Sequence, residues 1–418
     1  MPAAPAPAVP TARLGRARLG VSLMFFTNGV LYSALLPRYP EIKRALDLSD
    51  TAFGLTVVAF PAGAIAAAAA GAPLIRRFGA PRVTAVGSVL LAVAMGVAGV
   101  SGTVALLFAA LVLGGVLDAV VDAAQNVHGI AVERLAGRSI INSLHAIWSL
   151  GAASGGVIGA TAAAADVAIG LQMVVNGVVW AAVALLAARL ARLPHGARPD
   201  ASAATAAGGP SDQAGGPVAT TDGAERARPA ARRTAYRLLV PLVLLAVCGT
   251  LLEDVANNWV VLLLGRETAA PAVVAGLGLT VVLVSQFVGR LLGDPMTDRW
   301  GRGAVARAGG LLVAGGLVPV VAGASYPFVL LGFALVGFGS ATLVPAAFAA
   351  ADRVPGLPVG TGVALTGWLM RLGFLATSPL VGVLSDATTL RTAMVVPLVA
   401  GLVAAVLAER TRRRDRAT

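Results

Sequence analysis

Apolar residues along the chain gather into long runs, each closed by a short polar or basic stretch. Twelve runs can be drawn, at 18–38, 51–74, 81–101, 103–127, 140–164, 167–190, 237–264, 271–293, 303–324, 326–350, 359–384 and 389–408. A helix needs about 20 apolar residues, some 30 Å, to cross a bilayer core. Each run meets that length, so each predicts a spanning helix. Between the sixth and seventh runs lies a stretch rich in Ala, Gly, Pro and polar residues with no apolar period, the pattern of a flexible linker. The expected organisation is a cytosolic tail at 1–17, a six-helix half at 18–192, a linker at 193–235, a second six-helix half at 236–409 and a cytosolic tail at 410–418.

Composition agrees with an all-α integral membrane protein. Of the 418 residues, 57% are hydrophobic and 12% charged, with a mean hydropathy of +0.83. A soluble fold could not bury that much apolar surface, so the bilayer is the expected solvent. The net charge of +12 comes from 31 Arg and a single Lys, Lys43, set against 20 acidic residues. The basic residues stand between apolar runs and are not interleaved with aromatics, a distribution that speaks for topology and against nucleic acid. Arg13, Arg16 and Arg18 precede the first run, Arg76, Arg77 and Arg82 follow the second, and Arg134 and Arg138 follow the fourth. Alternate loops carry few charges. The positive-inside rule then places both termini and the linker in the cytosol of a bacterial inner membrane. The first external loop, RYPEIKRALDLSD, is an exception with three basic residues, and reads as an amphipathic segment. The basic N-terminus followed by an apolar run has the outline of a signal peptide. It lacks a convincing cleavage site, and eleven more runs follow, so it reads as a tail and first span. One cysteine, Cys248, excludes an internal disulfide. Three scattered histidines give no metal site, and no phosphate loop or catalytic triad is present. No cofactor and no enzyme activity are expected.

The halves repeat. GAPLIRRFGAPR (71–82) aligns without gaps to GDPMTDRWGRGA (293–304) at an offset of 222, which also pairs Gly54-Leu55 with Gly276-Leu277. A duplicated six-helix unit is the plan of many secondary transporters, with the binding site where the halves meet. The stretch DPMTDRWGR resembles the loop signature of the major facilitator superfamily, and the resemblance covers all twelve runs. It implies that Arg76, Arg77 and Gly79 in the first copy, and Asp298, Arg299, Gly301 and Arg302 in the second, form the conformational loop motif. In the first copy Arg76 stands where that family has an acidic residue. FFTNGVLYSALLPRYPEIKRALDLSDTAFGL, the D-x-x-x-D-x-x-x-N stretch and HAIWSLGAASGG look like a narrower branch, the YbjJ-like relatives of fucose permease. The fourth run has no Arg of the kind drug antiporters carry, and their fifth-span glycine motif is only partly matched.

Candidate chemistry sits on a few polar residues inside the runs. Asp118, Asp122 and Asn126 share one face of the fourth helix at i, i+4 and i+8. An ionised Asp at a span centre costs roughly 2.5–3.5 kcal/mol on insertion scales, which makes such a residue a candidate for function. The run boundaries place Asp118 about 22 Å from the outer end, in the inner third of the bilayer, with Asp122 nearer the cytosolic interface. Both are expected to bind and release protons; the alternative is a structural pair satisfied by neighbouring helices. His145 in the fifth run is a third proton-coupling candidate. Asn28, Tyr32, Asn126, Asn142 and Trp148 are substrate-cavity candidates in the first half. In the second half Glu253 and Asp254 are adjacent, about 100° apart on a helix, so one of them is expected to face the cavity. Asp254, Asn257 and Asn258 share a face, and carboxylate with amides suits a polyol or amine, with Trp259 placed to stack on a ring. Arg371 is the one Arg read as lying well inside a run, and is expected to pair with an intramembrane carboxylate or an anionic group.

The expected protein is a monomeric, proton-coupled carrier of a small polar solute, working by alternating access, with direction open. Export of a metabolite or antibiotic is the alternative. A transport-dead sensor on the same scaffold is less favoured, because linker and tail are too short and polar for an output domain.

Overall fold

The computed structural model describes residues 11–67, 70–136, 140–192, 229–351, 353–355 and 361–415, and among them it contains helices and no strand. The first half comprises α1 (Thr11–Ser33), a short α2 (Tyr39–Ala45), α3 (Asp50–Val57), α4 (Ala59–Ala66), α5 (Gly71–Phe78), α6 (Ala80–Gly99), α7 (Val104–Ala136), α8 (Ile141–Ala164) and α9 (Ile169–Leu190). The second half comprises α10 (Pro229–Glu267), α11 (Ala272–Trp300), α12 (Arg302–Val321), α13 (Tyr326–Ser340), α14 (Leu343–Ala351), α15 (Thr361–Ala387), α16 (Leu390–Ala393) and α17 (Val395–Asp415). Most of the expected linker, from 193 to 228, and the tail residues 1–10 and 416–418 lie outside the described residues. Helix α1 already begins at Thr11 and α10 at Pro229, inside stretches read as tail and linker.

Among the described residues, eleven helical segments are long and apolar enough to cross a membrane, and the bent pair Asp50–Ala66 plus Gly71–Phe78, taken as one span, makes a twelfth. The second run is thus not one straight helix: α5 departs from α3–α4 by 57°. The break between α3 and α4 falls at Val57, four residues before Pro61. Proline has no N–H to bond the carbonyl four residues back, and its ring crowds that carbonyl. Pro345 stands in the same relation to Ala341, where the tenth run divides into α13 and α14.

The apolar surface points outward, as a bilayer requires. On α6, Val86, Leu90 and Val93 are 57%, 48% and 59% exposed; on α9, Leu171, Val174 and Val178 are 60%, 61% and 66% exposed. These spacings of three and four trace one helix face each. Small residues sit where helices approach closely.

The repeat seen in the sequence is present in the backbone. Gly79 and Gly301, partners at the 222 offset, both cap a helix at φ 82° with ψ 142° and 149°. Only glycine adopts that conformation without strain. Gly54 and Gly276, also partners, both touch the opposite half: a Cβ on Gly54 would strike the Ser378 carbonyl, and one on Gly276 would come within 2.8 Å of Ala160. Helices α3 and α15 therefore meet as α11 and α8 do, related by a pseudo-twofold. Near the first of these seams Phe53 packs edge-on against Trp259 at 5.3 Å, both fully buried.

The basic loop that broke the charge pattern is explained by its bonds. Arg38 is 2% exposed and donates to Gln172 Oε1 (2.8 Å), Glu41 Oε2 (2.6 Å) and the Val167 carbonyl (2.8 Å). Lys43 bonds the Leu48 carbonyl at 2.6 Å and Asp50 at 3.0 Å. These side chains hold the loop onto its own half, so they are not free charges facing lipid headgroups.

Candidate functional site

A cavity of about 200 Å³ lies between the halves, and its walls contain most of the polar residues singled out above. The first half contributes Asn28 and Tyr32 from α1, Asp118 and Asp122 from α7, and Trp148 from α8. The second half contributes Glu253, Asn257 and Asn258 from α10 and Arg371 from α15. Phe60, Pro61, Thr250, Met370 and Phe374 complete the wall, and towards one end the cavity extends to Ala67 and Gly71. Tyr32 and Phe60 stack at 4.2 Å with planes 28° apart, giving a flat aromatic surface.

A short relay holds Asp118. Trp148 donates its indole N–H to Asn28 Oδ1 at 2.7 Å, and Asn28 Nδ2 donates to Asp118 Oδ1 at 2.8 Å. An indole nitrogen can only donate, so the Asn28 carbonyl must face it and the amide NH2 must face the carboxylate. Asp122, one turn on, accepts from Asn126 Nδ2 at 3.0 Å and Gln125 Nε2 at 3.2 Å. It interacts electrostatically with Arg371 of the other half. Asp118, Asp122 and Asn126 thus share a face, though Asn126 stands behind Asp122 and not in the cavity wall.

The helix that carries these two acids is longer than its apolar run. Helix α7 has 33 residues and continues to Ala136, well past the apolar run that ended at 127. Asp118 and Asp122 therefore flank the midpoint of the helix. The helix outruns the apolar run because HGIAVER looks polar by sequence, while His128 is buried and bonded to the Ala191 carbonyl at 2.6 Å.

On α10 one of the two adjacent acids faces the cavity, as expected, and it is Glu253 and not the Asp254 grouped with Asn257 and Asn258. Glu253 lines the cavity, with Arg290 at 4.0 Å. Asp254 is 1% exposed and accepts from Ser378 Oγ at 2.5 Å and Asn258 Nδ2 at 2.8 Å. Trp259 is fully buried and donates to the same Ser378 Oγ at 3.0 Å, so it is a packing residue and is not placed to stack on a solute. Asp254, Asn258, Trp259 and Ser378 form one network joining α10 to α15.

His145 is not in the cavity wall; it packs edge-on to Phe25 at 5.3 Å. Asn142 lies on α8, with its side chain outside the described residues. The loop residues Arg76, Arg77, Asp298, Arg299 and Arg302 are exposed at helix ends, and in each copy an arginine covers an aromatic ring: Arg77 over Phe78 at 5.3 Å and Arg299 over Trp300 at 5.8 Å. Arg371 does line the cavity. Arg290 on α11 also reaches the seam, where Nη1 bonds Ser149 Oγ at 3.4 Å. Its place near the end of the eighth run had hidden it, although the acid it meets, Glu253, was legible. Among the described residues no group of acids, histidines and cysteine is gathered to hold a metal ion.

Comparison with known proteins agrees with this geometry. The family model "Major Facilitator Superfamily" matches residues 21–253 and 242–418. An uncharacterised transporter, y4wD, of Sinorhizobium fredii is 27% identical over 398 residues, covering 93% of this chain and 96% of its own. An uncharacterised MFS-type transporter of Yersinia pestis is 26% identical over 379 residues, covering 90% and 91%. Among solved structures, the nucleoside transporter NupG superposes with a TM-score of 0.70 at 14% identity, over 94% of this chain and 98% of that one. The fucose:proton symporter FucP of E. coli superposes with a TM-score of 0.59 at 18% identity, over 94% and 97%. Family and fold are those of membrane transporters and not of enzymes. The chain belongs to the major facilitator superfamily.

Proposed function

We propose that this protein is a monomeric, proton-coupled secondary carrier of a small polar solute. It lies in the bacterial inner membrane with both termini cytosolic and works by alternating access between its two halves. The observation that carries the reading is the composition of the central cavity: Asp118 and Asp122 from one half, and Glu253 and Arg371 from the other, around one small volume. Carboxylates held inside a span are maintained against a desolvation cost, and a site whose water access alternates can use that cost to take up and release protons. The amides of Asn28, Asn257 and Asn258 and the stacked Tyr32–Phe60 pair suit a hydroxyl- or amine-bearing solute with one apolar face. The branch resemblance to fucose permease, and the sugar symporter among the structural neighbours, favour the same class.

The test is transport in reconstituted vesicles under an imposed pH gradient, with polyols and amines first screened for thermal stabilisation of the purified protein. Asp118→Asn retains the shape of the protonated acid but releases no proton. It is expected to abolish gradient-driven accumulation and to leave counterflow exchange measurable, because exchange needs no net proton movement. If Asp118→Asn still concentrates solute, and a protonophore still collapses that accumulation, the proton site lies elsewhere.

A further inference from the structure

The end of the molecule where α3 begins is closed by bonds that cross from one half to the other, and none of their residues belongs to the cavity or to the loop motif. Asp50, with its side chain 3% exposed, is at the centre. From its own half Lys43 reaches it at 3.0 Å. From the other half Arg266 Nη1 reaches Asp50 Oδ2 at 2.7 Å, and Ser385 donates its hydroxyl to the same oxygen. Arg266 Nη2 also donates to Ser385 Oγ at 3.2 Å. The arginine is held in place by Glu267, at 3.2 Å from its Nε.

A second tie runs beside the first. Asp386, on α15, accepts the backbone N–H of Asp50 at 2.8 Å and of Thr51 at 2.7 Å. These are donors at the start of α3, which a helix cannot satisfy internally. Ser49 of the same half caps only the Ala52 N–H, at 3.1 Å. The first turn of α3 is therefore capped in part by the opposite half of the protein. A carboxylate at a helix N-terminus is favoured by both the open N–H groups and the helix dipole. Backbone contact accompanies these ties, since a Cβ on Gly382 would strike the Asp50 carbonyl.

We infer that Asp50, Arg266, Ser385 and Asp386 form the clasp that seals one mouth of the carrier and parts in each cycle. The inference rests on the alternating-access reading. If the two halves rock as rigid bodies, bonds within a half persist and bonds between halves at this mouth break. The Asp50–Arg266, Asp50–Ser385 and Asp386–α3 bonds are all of the second kind. Arg266 is partly exposed at 43% and Asp386 sits at the rim, so water can take over their bonds as the mouth opens. Asp50 retains Lys43, which moves with it, so the acid is not stranded when its partners leave. The clasp can therefore both hold and release.

The experiment uses the full-length protein with Cys248→Ser and one new thiol, Val57→Cys, in the cavity wall near this mouth. Labelling by a membrane-impermeant maleimide is timed in intact cells and in inside-out vesicles, for the parent and for Asp50→Asn, Arg266→Gln, Asp386→Asn and Arg266→Lys. The expected result is a several-fold faster reaction from the cell exterior in the first three variants, with Arg266→Lys close to the parent. If the gain appears only in inside-out vesicles, the clasp stands and the proposed orientation falls. Unchanged rates from both faces in properly inserted variants would overturn the clasp. So would equal gains from both faces with a lowered melting temperature, which would mark general loosening.

Discussion

Glu253 and Asp254 are adjacent in the chain, carry the same charge and do different work. One faces the cavity; the other is sealed in a hydrogen-bonded network with Ser378 and Asn258. Sequence could say that the two diverge by about 100° around a helix, but not which way the helix is turned. That depends on Ser378, which is 124 residues away and drew no notice as one serine among many. The two acids should separate in a mutational test. Asp254→Ala leaves Asn258 and Ser378 without their shared acceptor. It is expected to lower stability by about 1–3 kcal/mol, the usual range for orphaning a buried polar partner, read as a fall in thermal midpoint of the purified protein. Glu253→Gln should leave that midpoint near the parent's and impair transport. A Glu253→Gln protein that melts as low as Asp254→Ala would contradict the assignment. Asn28, Tyr32, Asp118, Asp122, Trp148 and Arg371 were legible as a group because polar residues inside apolar runs are conspicuous. Phe60, Met370 and Phe374 were not, because an apolar residue on a cavity wall looks the same in sequence as one facing lipid.

At the level of helices, length and number were readable and shape was not. Hydropathy located most helix ends to within a few residues. It stopped short of the C-terminal end of α7, where a polar-looking segment stays helical and packed, and it gave one run at Pro61 and at Pro345, where the chain forms two helices. The glycines report shape more faithfully. Gly79 and Gly301 occupy the same backbone conformation in the two repeats, at φ 82°, and neither has a heavy atom within 4 Å of an added Cβ. Any penalty for alanine there is conformational and not steric. Gly79→Ala and Gly301→Ala are each expected to cost about 1–3 kcal/mol, seen as similar falls in melting temperature. Gly315→Ala serves as the control: it lies inside α12, also with open space around the added methyl. A control that falls as far as the two caps would show that the backbone angle is not the cause.

Taken whole, the molecule is two similar halves that meet closely at one mouth and enclose, deeper in, a largely apolar cavity that carries a few charged and amide side chains. The duplication was visible in the sequence as one offset recurring in two places, and the structure gives that offset a meaning, since both recurrences fall at helix caps or at the seam. The identity of the seam residues was not visible, because pairing Asp50 with Arg266 requires knowing how the halves face one another. Trp259 turns that geometry into an optical property. Its indole is dry, edge-on to Phe53 of the other half and hydrogen-bonded to a single hydroxyl, whereas Trp300 and Trp368 are 59% and 56% exposed. Parting of the halves would hydrate Trp259 alone among these three. A protein retaining Trp259 as its one tryptophan should shift its emission to longer wavelength when the mouth opens, and Asp50→Asn should produce that shift without any solute. An emission spectrum indifferent to Asp50→Asn would mean that the ring stays dry throughout the cycle. If the shift appears, the carrier contains its own colour indicator of conformation, and its cycle can be followed in real time before its solute is known.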